Sequence, residues 1–123
     1  MRSATCLCLF LVALAAASSS SAQDPIKVDA KHYKVELEND QVRVLRVTYG
    51  PHEKSSMHEH PAGLAIAMTD AVVKFTSADG KSEERRFKAG QAIWTPAEKH
   101  LPENTTDKAF EVVVVEIKTK PAK

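Results

Sequence analysis

Two histidines separated by one residue, His58 and His60, are the side chains of this sequence best suited to metal chemistry. On an extended strand, side chains two positions apart project from the same face. Two neutral imidazoles on one face can hold a divalent transition metal, and a third histidine completes a usable site. We expect His100 to be that third histidine. Donors about 2.1 Å from one ion should then lie about 3 to 4 Å apart.

The segments that must position these histidines have the pattern of short strands joined by turns. Strand patterns occur at residues 33–38, 41–49, 62–68, 71–76, 82–87, 91–95 and 110–118. Gly50-Pro51 breaks the second strand, and Asp79-Gly80 is a strong hairpin signal. No segment has a convincing 3.6-residue period. The pattern therefore predicts an all-β domain, an antiparallel sandwich or barrel of seven or eight strands.

The N-terminal segment has the pattern of a secretory signal peptide. Arg2 precedes an apolar run at 6–17 that is too short to span a bilayer, and Ser-Ser-Ala at 20–22 is a small-residue cleavage pattern. An uncleaved N-terminal anchor is the alternative. We therefore expect an exported protein, periplasmic or secreted. The expected divisions are a signal peptide at 1–22, an arm at 23–32, one domain at 33–118 and a tail at 119–123.

The composition of the chain after cleavage excludes several functions. Both cysteines, Cys6 and Cys8, belong to the signal peptide, so disulfides, cysteine catalysis and thiolate ligands are excluded. The remaining 16 basic and 16 acidic residues balance. This neutrality argues against nucleic acid or an anionic membrane as the main partner.

Residues 112–115 are all valine, so this part of the last predicted strand is apolar on both faces. One face should line the core, and the other must be covered by the N-terminal arm or by a second subunit. We expect a homodimer, either strand-exchanged or packed face to face.

The first histidine segment resembles the first of the two sequence motifs of the cupin superfamily. That motif has a glycine, a short spacer, His-x-His, a glutamate three or four residues later, and a closing glycine. Gly50, His58 and His60 match it, with a spacer of seven residues where about five is usual. Leu64 and Ala65 stand where the family has its glutamate ligand, and the closing glycine is missing.

The second cupin motif is matched by Gly90, Pro96, His100 and Asn104. His100 comes one residue early, and Glu98 stands where a glycine is usual. The resemblance covers about residues 33–118. It implies a cupin-type β-barrel or double-sheet jelly roll. The ligands that it implies are His58, His60 and His100, with the carboxylate position vacant.

A three-histidine set leaves the full charge of a divalent ion, about +2, uncompensated. Such a site suits one Fe, Zn, Cu, Ni or Mn ion per chain and suits Mg or Ca badly. Glu98 is a candidate substitute ligand or general base. Asn104 or Glu103 is a candidate to orient an imidazole, and His52 is either a fourth ligand or a solvated turn residue.

Three functions follow from these patterns. The first is an exported metalloenzyme that resembles the three-histidine dioxygenases of the family and oxidises a small organic molecule. The second is a non-catalytic cupin module that binds a small ligand or a metal. The third is a structural metal that pins the loop at 50–61. Trp94 and Phe75 line the pocket in the first two cases, although the barrel core is the default place for both.

Overall fold

A computed structural model describes residues 23–119, so the predicted signal peptide and residues 120–123 of the tail lie outside the described residues. The described chain contains one short helix and nine strands. They are α1 (Pro25–Val28), β1 (Tyr33–Glu38), β2 (Val42–Tyr49), β3 (His58–His60), β4 (Gly63–Ala67), β5 (Ala71–Ser77), β6 (Ser82–Phe87), β7 (Ala92–Thr95), β8 (Glu98–Asn104) and β9 (Phe110–Ile117). The expected all-β single domain is confirmed.

The strands form two antiparallel sheets. Sheet A has the order β1-β2-β9-β4-β7, and sheet B has the order β3-β8-β5-β6. Several neighbours in these sheets are distant in sequence, as in the pairing of β2 with β9 and of β3 with β8. This is the double-sheet arrangement expected from the sequence, and it brings the strand of His58 and His60 beside the strand of His100.

The core lies between the sheets and is built from alternate residues of each strand. Leu45, Tyr49, Val73 and Phe110 are almost completely buried. Gly63 is required where β4 passes β9, because a Cβ atom at this position would lie 2.0 Å from the carbonyl oxygen of Val115. This close approach fixes β4 against β9 within sheet A.

The described residues form nine strands where the sequence predicted seven or eight, because the short strand β3 and strand β8 have no alternating pattern of their own. Strand β8 contains Pro102, a residue that is unusual within a central strand. Helix α1 lies within the predicted arm. It is too short to show a helical period, although Asp24 accepts a hydrogen bond from the Ile26 amide at 3.0 Å and Pro25 occupies the first turn. Within residues 23–119, no helix has the length and apolar character needed to cross a membrane.

Candidate metal centre

The three predicted histidines converge between the sheets. In the ladder between β3 and β8, His58 pairs with His100 and His60 pairs with Glu98. One ring nitrogen of each histidine lies within 4.8 Å of the others. This limit is wider than the predicted 3 to 4 Å, and two donors about 2.1 Å from one ion cannot exceed about 4.2 Å. A pair at the full 4.8 Å must therefore close by at least about 0.6 Å to share one ion, the difference between 4.8 and 4.2 Å.

His60 is held by a carboxylate on the opposite sheet. Its Nδ1 donates to Oε2 of Glu116 at 2.6 Å, and Glu116 is 2 % exposed. The other oxygen of Glu116 accepts from Nε of Arg43 at 2.7 Å. Arg43 in turn donates to both oxygens of Asp24 at 2.8 and 3.0 Å. This chain of ion pairs fixes the ring of His60 and leaves Nε2 as its free lone pair.

His100 is held in the same way from its own strand. Its Nδ1 donates to Oε1 of Glu98 at 2.6 Å. Its Nε2 is buried and has no hydrogen-bond partner within residues 23–119. A buried polar atom without a partner is costly. A lone pair in this position, with the opposite nitrogen anchored by a carboxylate, is the arrangement of a metal-binding histidine.

His58 has both ring nitrogens engaged. Nδ1 donates to the carbonyl oxygen of Ser56 at 2.9 Å, because a carbonyl can only accept. Nε2 must therefore accept, and the hydroxyl of Tyr33 donates to it at 3.1 Å. The Tyr33 oxygen accepts in turn from Tyr49 at 2.7 Å. A metal on His58 must displace the proton of Tyr33 from this lone pair.

The pKa shifts at the site keep His58 and His100 neutral and Glu98 and Glu116 charged. Burial lowers the pKa of His58 to about 3, with a further contribution from His60 and His100. Burial also lowers the pKa of His100, although Glu98 opposes this. The hydrogen bond from His100 holds the pKa of Glu98 below its usual value. Neutral imidazoles are the form that binds a metal, so His58 and His100 can bind one near pH 7 without first losing a proton.

The pKa of Glu116 is set by opposing effects. Burial alone would raise it, but the hydrogen bonds from His60 and Arg43 outweigh burial, and the pKa falls below its usual value. The carboxylate is therefore ionised at neutral pH and acts as a permanent acceptor behind His60.

A cavity of about 130 Å³ adjoins the histidines. His60, His100, Tyr33, Glu98 and Arg85 form its polar wall. The apolar lining includes Val47, Ala65, Val73, Phe75, Phe87 and Phe110. Pockets for drug-sized ligands measure about 300 to 1,000 Å³. The cavity therefore suits only a small molecule with an apolar body and a polar end.

Leu64 and Ala65, the residues at the position of the usual glutamate ligand, offer no ligand atom to the histidine cluster. Leu64 is 37 % exposed, and Ala65 lines the cavity without offering a donor atom. Glu116 supplies a buried carboxylate from β9 instead, and it contacts Nδ1 of His60 rather than the free nitrogen. Glu98 likewise contacts Nδ1 of His100 while lining the cavity.

Asn104 lies away from the three histidines. It is completely buried, and its amide nitrogen donates to the carbonyl oxygens of Gly50 at 3.0 Å and Lys108 at 2.8 Å. Its side-chain oxygen accepts from the Thr106 amide at 3.0 Å. Asn104 thus fastens two loops to each other instead of orienting an imidazole as expected.

Glu103 and His52 are also outside the cluster. The carboxylate of Glu103 lies 3.9 Å from the Lys74 ammonium. His52 is an exposed turn residue at φ 57° whose Nε2 bonds to Asp107 at 2.6 Å. The structure therefore favours the solvated-turn interpretation of His52, and it brings neither residue to the histidines.

Glu116, Tyr33 and Tyr49 were not recognised from the sequence. The sequence does contain a signal for Glu116. This residue continues the alternating inward series of Phe110, Val112 and Val114 on β9, so it places a charged side chain on the core face of the strand. The tyrosines had no such signal, since buried aromatic residues are usually core residues.

Trp94 and Phe75 have different positions. Trp94 borders the cavity, as the pocket alternative expected, but it is 61 % exposed and is not a core residue. The ring of Phe75 lies 5.1 Å from that of His100 and lines the cavity.

Comparison with solved structures identifies the fold. A cupin domain from Bordetella pertussis Tohama I matches with a TM-score of 0.66 and 24 % identity, over 71 % of this chain and 92 % of that chain. An RmlC-like cupin family protein from Methanocaldococcus jannaschii matches at 0.54 and 19 %, over 72 % and 83 % of the two chains. The polyketide cyclase RemF from Streptomyces resistomycificus matches at 0.54 and 18 %, over 73 % and 66 %.

No family model matches the sequence, and no curated protein matches it at a significant level. The strand order and the structural likenesses agree with the two motifs around the histidines. The chain therefore has the fold of a small single-domain cupin.

Proposed function

We propose that this protein is an exported cupin that binds one divalent transition metal through His58, His60 and His100 and oxidises a small organic molecule. The observation that carries the proposal is the unpartnered, buried Nε2 of His100 beside two further histidines at the wall of a cavity. The metal could be Fe, Zn, Cu, Ni or Mn. Export rests on the signal-peptide pattern of residues 1–22.

The residues present fit a metal with open coordination positions. When bound, the metal would supply positions for a bidentate substrate and for dioxygen or water. The chain itself orients the three imidazoles through Glu116, Glu98 and the Ser56 carbonyl, and burial keeps the imidazoles of His58 and His100 neutral. The apolar lining excludes water from the body of a substrate and leaves the polar wall to orient its polar end.

The cavity bears on the choice between a catalytic and a structural metal. A structural site is closed by four protein ligands, whereas a catalytic site keeps a position open. Here His60 and His100 border an open cavity, and neither Leu64 nor Ala65 closes the site with a carboxylate. This favours a metal that meets a ligand over one that only pins the loop at 50–61.

A non-catalytic module that captures a small ligand or a metal is the second candidate. The absent carboxylate ligand and the small cavity favour it. Both candidates use the same three histidines, so the metal is tested first and the reaction second.

The first experiment measures the metal content of the purified protein after loading with Fe(II), Zn(II), Cu(II), Ni(II) and Mn(II) separately. We expect a stoichiometry near one that is lost in His58→Ala and in His100→Ala. His52→Ala is the matched control, because His52 is exposed and away from the cluster. An absence of bound metal under every loading condition would refute both the catalytic and the structural proposals.

The second experiment measures oxygen uptake by the metal-loaded protein with small dicarbonyl, phenolic and thiol compounds. Uptake that depends on His58 and His100 supports an oxidase or dioxygenase. Binding of one of these compounds without turnover, seen by calorimetry, supports the non-catalytic module.

A further inference from the structure

Strand β3, which carries two of the proposed metal ligands, has little support within its own sheet. It is three residues long and lies at the edge of sheet B, where it pairs with β8. Within residues 23–119, the other side of its backbone has no neighbouring strand. A short edge strand opens easily, because few hydrogen bonds hold it in the sheet. The positions of His58 and His60 therefore depend on what else contacts β3.

The N-terminal arm, residues 23–32, contacts β3 between its two histidines. The carbonyl oxygen of Gln23 accepts a hydrogen bond of 2.8 Å from the amide of Glu59. Glu59 stands opposite Lys99 in the ladder with β8, and its side chain is exposed. The first residue of the arm thus satisfies a backbone donor of the edge strand and ties the centre of β3 to the arm.

Asp24, the next residue of the arm, is connected to His60 through two charged side chains. Both of its oxygens accept from Arg43, at 2.8 and 3.0 Å, and Nε of Arg43 donates to Glu116 at 2.7 Å. Glu116 accepts in turn from Nδ1 of His60 at 2.6 Å. The hydrogen bond from Arg43 holds the pKa of Asp24 below its usual value, so this carboxylate is ionised near neutral pH.

Asp24 determines how Arg43 meets Glu116. A guanidinium group binds a carboxylate most strongly through two parallel hydrogen bonds. While Asp24 engages both terminal nitrogens of Arg43, Nε is left for one oxygen of Glu116, and the other oxygen accepts from His60. Without Asp24, the terminal nitrogens can turn to Glu116 and compete with His60 for its carboxylate. The two carboxylates and one guanidinium also give a net charge of −1 behind His60, which favours a bound cation.

The other end of the arm leads to the second histidine of β3. His32, the last residue of the arm, is buried and stacks on the ring of Tyr49 at a centroid distance of 4.2 Å. Tyr33 follows it and donates to Nε2 of His58 at 3.1 Å. Pro25, near the start of the arm, is almost completely buried. The arm is therefore held at both ends, and each end leads to one histidine of β3.

We propose that the N-terminal arm positions β3 and its histidines, with Gln23 and Asp24 as the positioning residues. This inference rests on the proposed function, because it concerns the same metal site. The expected export cleavage after residue 22 leaves Gln23 as the first residue of the chain and keeps both contacts. A cut two residues later removes both, so the position of the cleavage decides whether the site is fully held.

The contact of the arm with β3 is tested without metal, by amide hydrogen exchange in the presence of a chelator. The protein that begins at Gln23, with its N terminus determined by mass spectrometry, is compared with one that begins at Pro25. In the shorter chain, the Glu59 amide should exchange at least about tenfold faster, because the edge strand opens locally. The amide of Leu45, in the centre of sheet A, is the internal control and should keep its rate.

Asp24→Ser separates the ion pair from the helix. Serine keeps the N-cap of α1, because its hydroxyl can accept from the Ile26 amide as Asp24 does, but it is too short to hold Arg43. The affinity for Zn(II), measured by competition with a chelating dye, should fall about two- to tenfold, the effect of one hydrogen bond. Lys27→Gln is the matched control, because Lys27 is exposed on the same helix, and this variant should bind as the wild type does.

Nitrogen-15 NMR of the His60 ring in the metal-free protein gives a readout that a general loss of stability does not change. In the wild type, the ring should be the Nδ1–H tautomer, because Glu116 accepts from Nδ1. Asp24→Ser should give a mixture of tautomers, and Lys27→Gln should not. Thermal melting establishes that both variants are folded.

Three results would overturn the proposal. One is a Glu59 amide that exchanges equally fast in the two chains. Another is an Asp24→Ser variant with the Zn(II) affinity and the His60 tautomer of the wild type. The third is a uniform loss of protection throughout the shorter chain, which would mean that the arm only stabilises the domain.

The proposed function and this inference fail separately. A wild-type protein that binds no metal would refute the proposed function, whereas hydrogen exchange at Glu59 and the tautomer of His60 still test the arm. If the shorter chain does not fold, the Asp24→Ser measurements decide alone.

Discussion

The hydroxyl of Tyr33 donates a hydrogen bond of 3.1 Å to Nε2 of His58, the lone pair that a metal would use. The direction of this bond is fixed, because the Ser56 carbonyl requires the proton of His58 to be on Nδ1. Tyr33 thus occupies the ligand lone pair of His58 in the metal-free site. Burial raises the pKa of Tyr33 well above its usual value, so its hydroxyl stays protonated and continues to donate this hydrogen bond.

Tyr33→Phe should bind metal more tightly than the wild type. A neutral hydrogen bond contributes about 0.5 to 1.5 kcal/mol, so its removal should strengthen binding about two- to tenfold. Competition of Zn(II) with a chelating dye measures this. Tyr49→Phe is the control, since it leaves the Tyr33–His58 bond in place. Weaker binding by Tyr33→Phe would mean that the Tyr33 oxygen helps to hold the metal.

Glu116→Gln should weaken metal binding about 10- to 100-fold, the usual effect of losing the carboxylate behind a histidine ligand. The same dye competition measures it. Glu111→Gln is the control, because Glu111 lies on the same strand but bonds to Arg46 on the outer side. A folded Glu116→Gln protein with the affinity of the control would contradict the role of Glu116.

Glu98→Gln separates the roles considered for Glu98. If it orients His100 through Nδ1, the affinity should fall about 10- to 100-fold while one metal is still bound at saturation. Metal analysis at saturating and limiting concentrations gives both quantities. Complete loss of metal would instead identify Glu98 as the substitute carboxylate ligand.

The metal-free protein should lose stability as the pH falls from about 6.5 towards 3. Unfolded His58 binds a proton below its ordinary pKa of 6.5, but folded His58 does so only near 3. The unfolded state therefore binds more protons in this window, and the free energy of unfolding falls with decreasing pH. The slope from one such histidine is at most about 1.4 kcal/mol per pH unit.

Urea unfolding in the presence of a chelator at several pH values measures this slope. His58→Gln should flatten it, whereas His52→Gln, which changes an exposed histidine, should leave it unchanged. An equally steep slope in His58→Gln would show that other groups cause the acid sensitivity.

Gly63→Ala should destabilise the domain by about 1 to 3 kcal/mol, the usual cost of overpacking. The added Cβ meets the backbone of β9, which cannot move without disturbing sheet A. Gly50→Ala is the control, because its Cβ would meet the end of the Glu53 side chain. Chemical unfolding compares the two variants, and equal losses would argue against the close approach of β4 and β9.

The sequence by itself determined the class of fold and the three histidines. Alternation with a period of two and turn residues at regular intervals depend on local physics, so they can be read along the chain. His58 and His60 share a face for the same local reason. The vacancy at Leu64 and Ala65 was also visible, because it depends only on distance along the sequence from His60.

Only the tertiary structure decided what surrounds the histidines. Glu116 reaches His60, and Tyr33 reaches His58, across 56 and 25 residues of sequence, through sheet pairings that no local pattern records. The same pairings align Leu64 with Val115 and Trp94, so a tryptophan whose default place was the core is 61 % exposed on an edge strand of sheet A. Local patterns specify which way a side chain points on its strand. The order and register of the strands specify what it meets there, and these are set by the packing of the whole domain.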